Sequence, residues 1–164
     1  MAAAFRAGRG IRSLHLAEVP DGFPESESLC TIHDFWLGKC RGSHLPARQD
    51  LPPSSLRPWI GHVSLVDVAH DPRRFRWRLI GSRISEALGR DGTGQWFEQL
   101  YEGRMLADYV RFYSAAVERR RPVFYRGDLE FLGKEHIRFR SVHLPMADGD
   151  APVSMLLLCL HFDI

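Results

Sequence analysis

No stretch of this sequence can span a bilayer: the longest mostly apolar run, Ala151 to Leu160, is about half the ~20 residues that a crossing helix needs. An excess of one charge is also lacking. The 22 Lys and Arg residues nearly balance 20 Asp and Glu, and the resulting +2 argues against a nucleic-acid partner. Lysine is scarce, with only Lys39 and Lys134, so the basic side is nearly all arginine; this reads as a composition bias before it reads as anion-pairing capacity. Cys30, Cys40 and Cys159 cannot all pair, and none stands in a CxxC or Cys/His zinc spacing, which points to a reduced, cytoplasmic protein. HExxH, GxSxG and a P-loop lysine are missing too, so no zinc, serine-nucleophile or P-loop chemistry is signalled. Adjacent pairs such as His33-Asp34 and His70-Asp71 cannot present two metal ligands on one helix or strand face, so no metal site is expected.

What remains is an ordinary amount of core for one domain. The 164 residues are 45% hydrophobic, and a chain of this length buries roughly 70% of the surface its unfolded form exposes. Residues 1–24 are rich in Ala, Gly and Arg and are broken by Pro20, Gly22 and Pro24. They read as a disordered tail, with an amphipathic targeting segment as the alternative. Residues 25–58 read as an arm: a helix from Ser26 to Cys40 with Leu29, Ile32, Phe35 and Trp36 at helical spacing, then a linker carrying Pro46, Pro52, Pro53 and Pro58.

Residues 59–164 form the domain proper. Val63 to Val68 and the alternating Phe75, Trp77 and Leu79 predict a hairpin turning at Asp71-Pro72. A short helix ends at Gly89, and a tight turn with Asp91 or Thr93 as cap leads to a longer helix whose apolar face includes Tyr109, Tyr113, Ala116 and Val117. Three strands follow, near 123–131, 137–146 and 153–162. The last is apolar at nearly every position and is therefore expected to be central. The expected fold class is α+β: a five-stranded antiparallel sheet with helices on one face, preceded by an N-terminal amphipathic helix.

This order of elements resembles a PAS domain, and the local motifs resemble short stand-alone PAS-like proteins of alphaproteobacterial type. The motifs are Phe35-Trp36, Leu45-Pro46-Ala47-Arg48 through Asp50 and Pro53, and Ser64-Leu65-Val66-Asp67. Others are Arg74-Phe75-Arg76-Trp77-Arg78-Leu79 with Gly81, then Gly89, Asp91 and Thr93-Gly94, Pro122-Val123, and Leu144-Pro145 with Asp148-Gly149. The resemblance implies a bacterial sensory or regulatory module in signal transduction, with a pocket between sheet and helices, and brings no catalytic residues. Haem in such sensors commonly uses a histidine of the helical segment, and cysteinyl-flavin photosensors need a cysteine there. Ile84 to Pro122 contains neither residue, so both cofactors are disfavoured and the cofactor is otherwise unknown.

The residues to examine are polar side chains on an inward apolar face. Ser141 and His143 share a strand face with Ile137 and Phe139, and Trp77, Tyr109, Tyr113 and His161 could converge there. These are the candidate ligand-binding groups, weighed against a reading in which the aromatics are simply core. Arg74, Arg76 and Arg78, with Arg138 and Arg140, form a basic stripe, read first as a solvated face paired to Asp128 and Glu130. Leu29, Ile32, Phe35 and Trp36 form a stripe too large to leave in water, so it folds over the outer sheet face or meets a second chain. A homodimer with the arm as interface is expected. Because the chain stops in its last strand, a separate signalling protein is expected as output, and neither nucleic acid nor membrane as partner. Two further classes stay open: a small pocket enzyme of the cone-shaped α+β type, needing Asp67 or Asp128 beside His143, and a pure interaction adaptor whose pocket is filled by its own aromatics.

Overall fold

The apolar run near the end of the sequence becomes β6 (Met155–Asp163), in the interior of an antiparallel sheet. The computed structural model describes residues 13–163. The other elements are β1 (Leu16–Glu18), α1 (Glu27–Lys39), β2 (Val63–Ala69), β3 (Arg74–Ile80), α2 (Ser82–Leu88), α3 (Phe97–Leu100), α4 (Gly103–Arg119), β4 (Val123–Leu129) and β5 (Lys134–Met146). The strands lie in the order β1-β4-β5-β6-β2-β3. Both edges of β6 are paired, and Met155 to Cys159 are all buried, as a strand covered on both faces requires.

The sheet therefore has six strands where the sequence predicts five. The extra one comes from the stretch read as a tail. Residues 1–12 lie outside the described residues, but Leu16, Ala17 and Glu18 pair with Gly127, Arg126 and Tyr125 of β4, and Leu14 and Phe23 are buried. The cause is tertiary: β4 presents an edge that β1 satisfies. Gly127 admits the new strand, because a Cβ there would lie 2.6 Å from both the Leu16 and Phe139 side chains.

Neighbouring residues of one strand separate the two faces. Tyr125 donates its hydroxyl to the Phe112 carbonyl of α4 at 2.9 Å, whereas the ring of Phe124 lies 5.7 Å from the ring of His33 in α1. Helices α2–α4 thus cover one face and α1 the other. Ser26 caps α1, its hydroxyl accepting from the Leu29 amide at 3.4 Å. Leu29, Ile32 and Trp36, spaced to share one helix face, are buried within this chain, and Trp36 Nε1 donates to the Pro145 carbonyl at 2.9 Å. Phe35 packs on Trp59 with ring centroids 5.4 Å apart. Of the two fates open to the apolar stripe, the structure takes the first. The linker is equally engaged, since Leu45, Leu51 and Leu56 are buried in the same core and Ala147 donates to the Pro46 carbonyl at 3.0 Å. The arm is continuous with the domain rather than set apart from it.

Two local expectations change. Phe75 and Trp77 are buried but Leu79 is 37% exposed. The register shifts between Leu65 and Val66, so that Trp77 opposes Val66 while Leu79 opposes Leu65, and the extra residue breaks the alternation of β3. Asp91 accepts from the Thr93 amide at 2.9 Å and so closes its own turn, while α3 is capped at Trp96, whose amide donates to Gln99 Oε1 at 2.7 Å.

Candidate functional site

The curved sheet and α2–α4 enclose a cavity of about 50 Å³. Each element delivers its wall by its own periodicity. Alternation along β5 turns Phe139, Ser141 and His143 inward, and alternation along β6 does the same for Leu160 and Phe162. The i, i+4 pair Tyr109 and Tyr113 faces them from α4, with Trp77 from β3, Ser64 from β2, and Ile84 and Leu88 from α2. Leu14, Leu16, Leu129 and Phe131 complete the wall at the β1 end. At ~10–15 Å³ for each water, this is room for a few water-sized groups.

All five candidate ligand-binding residues, Trp77, Tyr109, Tyr113, Ser141 and His143, stand on this one wall. His161 does not: Leu160 and Phe162 take the inward positions, so it points to the opposite face, where its Nε2 lies 3.7 Å from Asp163 Oδ1. Sequence reasoning missed Ser64, a polar residue flanked by the apolar Val63, Leu65 and Val66, and its break in that run was the available signal. It also missed Phe97, fully buried at the centre of the aromatic group and within 5.1 Å, centroid to centroid, of both Trp77 and Tyr113. Its four-residue helix carries no periodicity to reveal it.

The electrostatics are those of a dry site. His143 is 2% exposed, its ring 4.7 Å from Tyr113 and 5.0 Å from Tyr125, and burial pushes its pKa down to about 3. Burial, reinforced by neighbouring phenols, raises Tyr109 and Tyr113 well above the ordinary tyrosine range. No Asp, Glu, Lys or Arg lines the cavity among the described residues. Ser64 Oγ, Ser141 Oγ and His143 Nδ1 are buried without a hydrogen-bond partner in the protein. Each such orphan costs about 1–3 kcal/mol, a cost that an incoming polar group removes.

The depressed His143 pKa has a measurable consequence. Folded His143 resists protonation until about pH 3, whereas in the unfolded chain its reference value is 6.5. Between those values the unfolded state binds the extra proton, so the contribution is fully present above pH 6.5 and is lost as pH falls, with a slope of up to about 1.4 kcal/mol per pH unit. Urea unfolding from pH 7 to 4 should show a shallower loss for His143→Gln than for the parent protein; equal slopes would mean that His143 already protonates in the folded state.

Other chemistry suggested by the sequence does not assemble here. Asp67 is held by Arg76 at 2.8 Å and Arg78 at 3.5 Å, and Asp128 accepts from the Glu130 amide at 3.0 Å, so neither carboxylate faces His143 across the cavity. Of the basic stripe, Arg74, Arg76, Arg78 and Arg140 are ion-paired, but to other acids than expected: Arg74 meets Glu98, Arg76 and Arg78 meet Asp67, and Arg140 meets Glu25 at 3.1 Å and Asp163 at 2.8 Å. His70 Nε2 lies 2.8 Å from the Val153 carbonyl, and His33 stacks on Trp36. One histidine and acid group, His15 with Asp128 and Glu130, gathers at the surface beside β1 with ligand atoms within 4.8 Å of one another. No helix among the described residues is long and apolar enough to cross a membrane.

Residues 25–160 match the family model described as PAS domain. No curated protein and no solved structure matches the chain.

Proposed function

Since this chain belongs to the PAS domain family, whose members act as sensory and regulatory modules, we propose that it senses a small molecule held between its sheet and α2–α4, without catalysing a reaction on it. Occupancy then alters contacts with a separate signalling protein. The observation that carries this reading is the set of three unpartnered polar atoms, Ser64 Oγ, Ser141 Oγ and His143 Nδ1, on the wall of an otherwise apolar cavity. Buried polar groups in folded proteins are nearly always bonded, and three exceptions around one space mark it as a place for a guest. Trp77, Tyr109 and Tyr113 supply the apolar contact surface in this reading.

Homodimerisation also belongs to the proposal, but not through Leu29, Ile32 and Trp36, which are buried inside a single chain. The cavity's modest volume and the close mutual packing of Trp77, Tyr109 and Tyr113 favour a second reading, in which the aromatics are filler and the protein is an interaction adaptor.

Native mass spectrometry of freshly purified protein, set against the mass after denaturation, separates the two. The expected result is additional mass that departs on denaturation. A bare chain, with no thermal shift from any member of a small-molecule library, overturns the sensor in favour of the adaptor. The same native spectrum reads the oligomeric state from the 18.8 kDa chain mass.

A further inference from the structure

We infer that the guest is an uncharged amphiphile: a short apolar body ending in one neutral head that both donates and accepts hydrogen bonds, of the hydroxyl or carboxamide class. This rests on the cavity being a ligand site, as proposed above, and deepens that reading.

Three observations carry it. The first is the placement of the orphan atoms. Ser64 and His143 both oppose Leu158, from its two sides in the sheet. They stand about 10 Å apart across two strand spacings and cannot bond each other. Ser141 lies two residues from His143 along β5, about 7 Å away. None of the three can satisfy another directly, so each requires a partner from within the cavity.

The second is the absence of any compensating charge. With no carboxylate, ammonium or guanidinium on the wall among the described residues, an ionised guest would lose its hydration and gain no counter-ion. A neutral head meets no such penalty. The third is the character of the partners. A serine hydroxyl donates or accepts as required, and the imidazole Nδ1 takes either role according to tautomer. One head reaches only one of these separated groups, and a hydroxyl or carboxamide, which both donates and accepts, pairs with it in whichever role that group takes. The aromatic faces of Trp77, Tyr109 and Tyr113 accommodate a body of a few carbon atoms.

The test uses the full chain and four probes of matched length at pH 7.5: 1-butanol, butyramide, butyrate and butylammonium, with pentane as an apolar control. Binding is read by protein-observed NMR titration of resonances from the cavity wall. The expected result is that 1-butanol and butyramide bind at least tenfold more tightly than either ion. Of Ser64→Ala, Ser141→Ala and His143→Leu, the one that removes the partner of the head should weaken 1-butanol several-fold while pentane is unchanged, a control that a general loss of fold would not pass; if none of the three does so, the inference is overturned. Butyrate or butylammonium binding as tightly as 1-butanol overturns the inference and leaves the cavity a ligand site. Binding by pentane alone also overturns it, since the polar atoms would then have no part in recognition. No perturbation from any of the five overturns the ligand site itself, and this inference with it.

Discussion

Truncating Phe97 to Ala should lower the unfolding free energy by about 4 kcal/mol, within the range for a buried Phe removed from a core. The ring is fully buried and its centroid lies 5.1–5.7 Å from five others: Phe75, Trp77, Tyr101, Tyr109 and Tyr113. Edge-to-face and tilted pairs of this kind add to the area term, so the loss exceeds what burial alone would give. The four residues of α3 are too few to hold a helix unaided, and the segment keeps its place because Phe97 is plugged into the cluster. Removing the ring also leaves a void behind three lining residues of the cavity, Trp77, Tyr109 and Tyr113. Urea unfolding of Phe97→Ala and Phe97→Leu checks this, with Leu expected to recover a good part of the loss. A cost near 1 kcal/mol for Ala would show that the aromatics repack and that the cavity has no fixed shape.

Trp36→Ala should cost a similar amount, about 3–5 kcal/mol, and its character matters as much as its size. Trp36 fills the space between α1 and the outer sheet face and ties its indole N–H to the Pro145 carbonyl. Since these contacts lie within one chain, the variant's unfolding temperature should fall equally at low and high protein concentration. An α1 exchanged between two subunits would instead make the size of that fall depend on concentration, since the mutation would then weaken association itself. Trp36→Phe, which keeps most of the packing and removes the donor, should lose only the smaller part associated with one buried hydrogen bond, about 1–2 kcal/mol.

Regular periodicity made most of this fold legible. The apolar run Met155 to Leu160 of β6 announced its central place, and the period-two pattern of Ser141 and His143 met the i, i+4 pattern of Tyr109 and Tyr113 to bring candidate residues to one cavity. What stayed hidden depended on partners distant in sequence. Leu14 and Leu16 alternate too briefly, among Ala, Gly and Arg, to signal a strand; β1 exists because β4 has an edge to satisfy. Leu79 was expected inside because alternation was extended through a bulge that only pairing with β2 creates. His161 was placed on the wrong face for a related reason, since a displacement of one residue along β6 reverses inside and outside. The buried carboxylate of Asp108 in α4 is equally hidden, since it accepts from the Leu14 amide at 3.2 Å, a contact that spans 94 residues of sequence.

The alternation of β5 makes it a diaphragm between two compartments. On one side Ser141 and His143 meet the cavity; on the other the fully buried Val142 and Leu144 lie beneath α1, and Pro145, next in line, holds Trp36. Nothing but a single thickness of backbone separates the two. Close-packed protein is nearly incompressible, so a bulge raised on the inner side has nowhere to dissipate before it reaches α1. α1 rests on the far side of that diaphragm, one strand's thickness from the cavity wall.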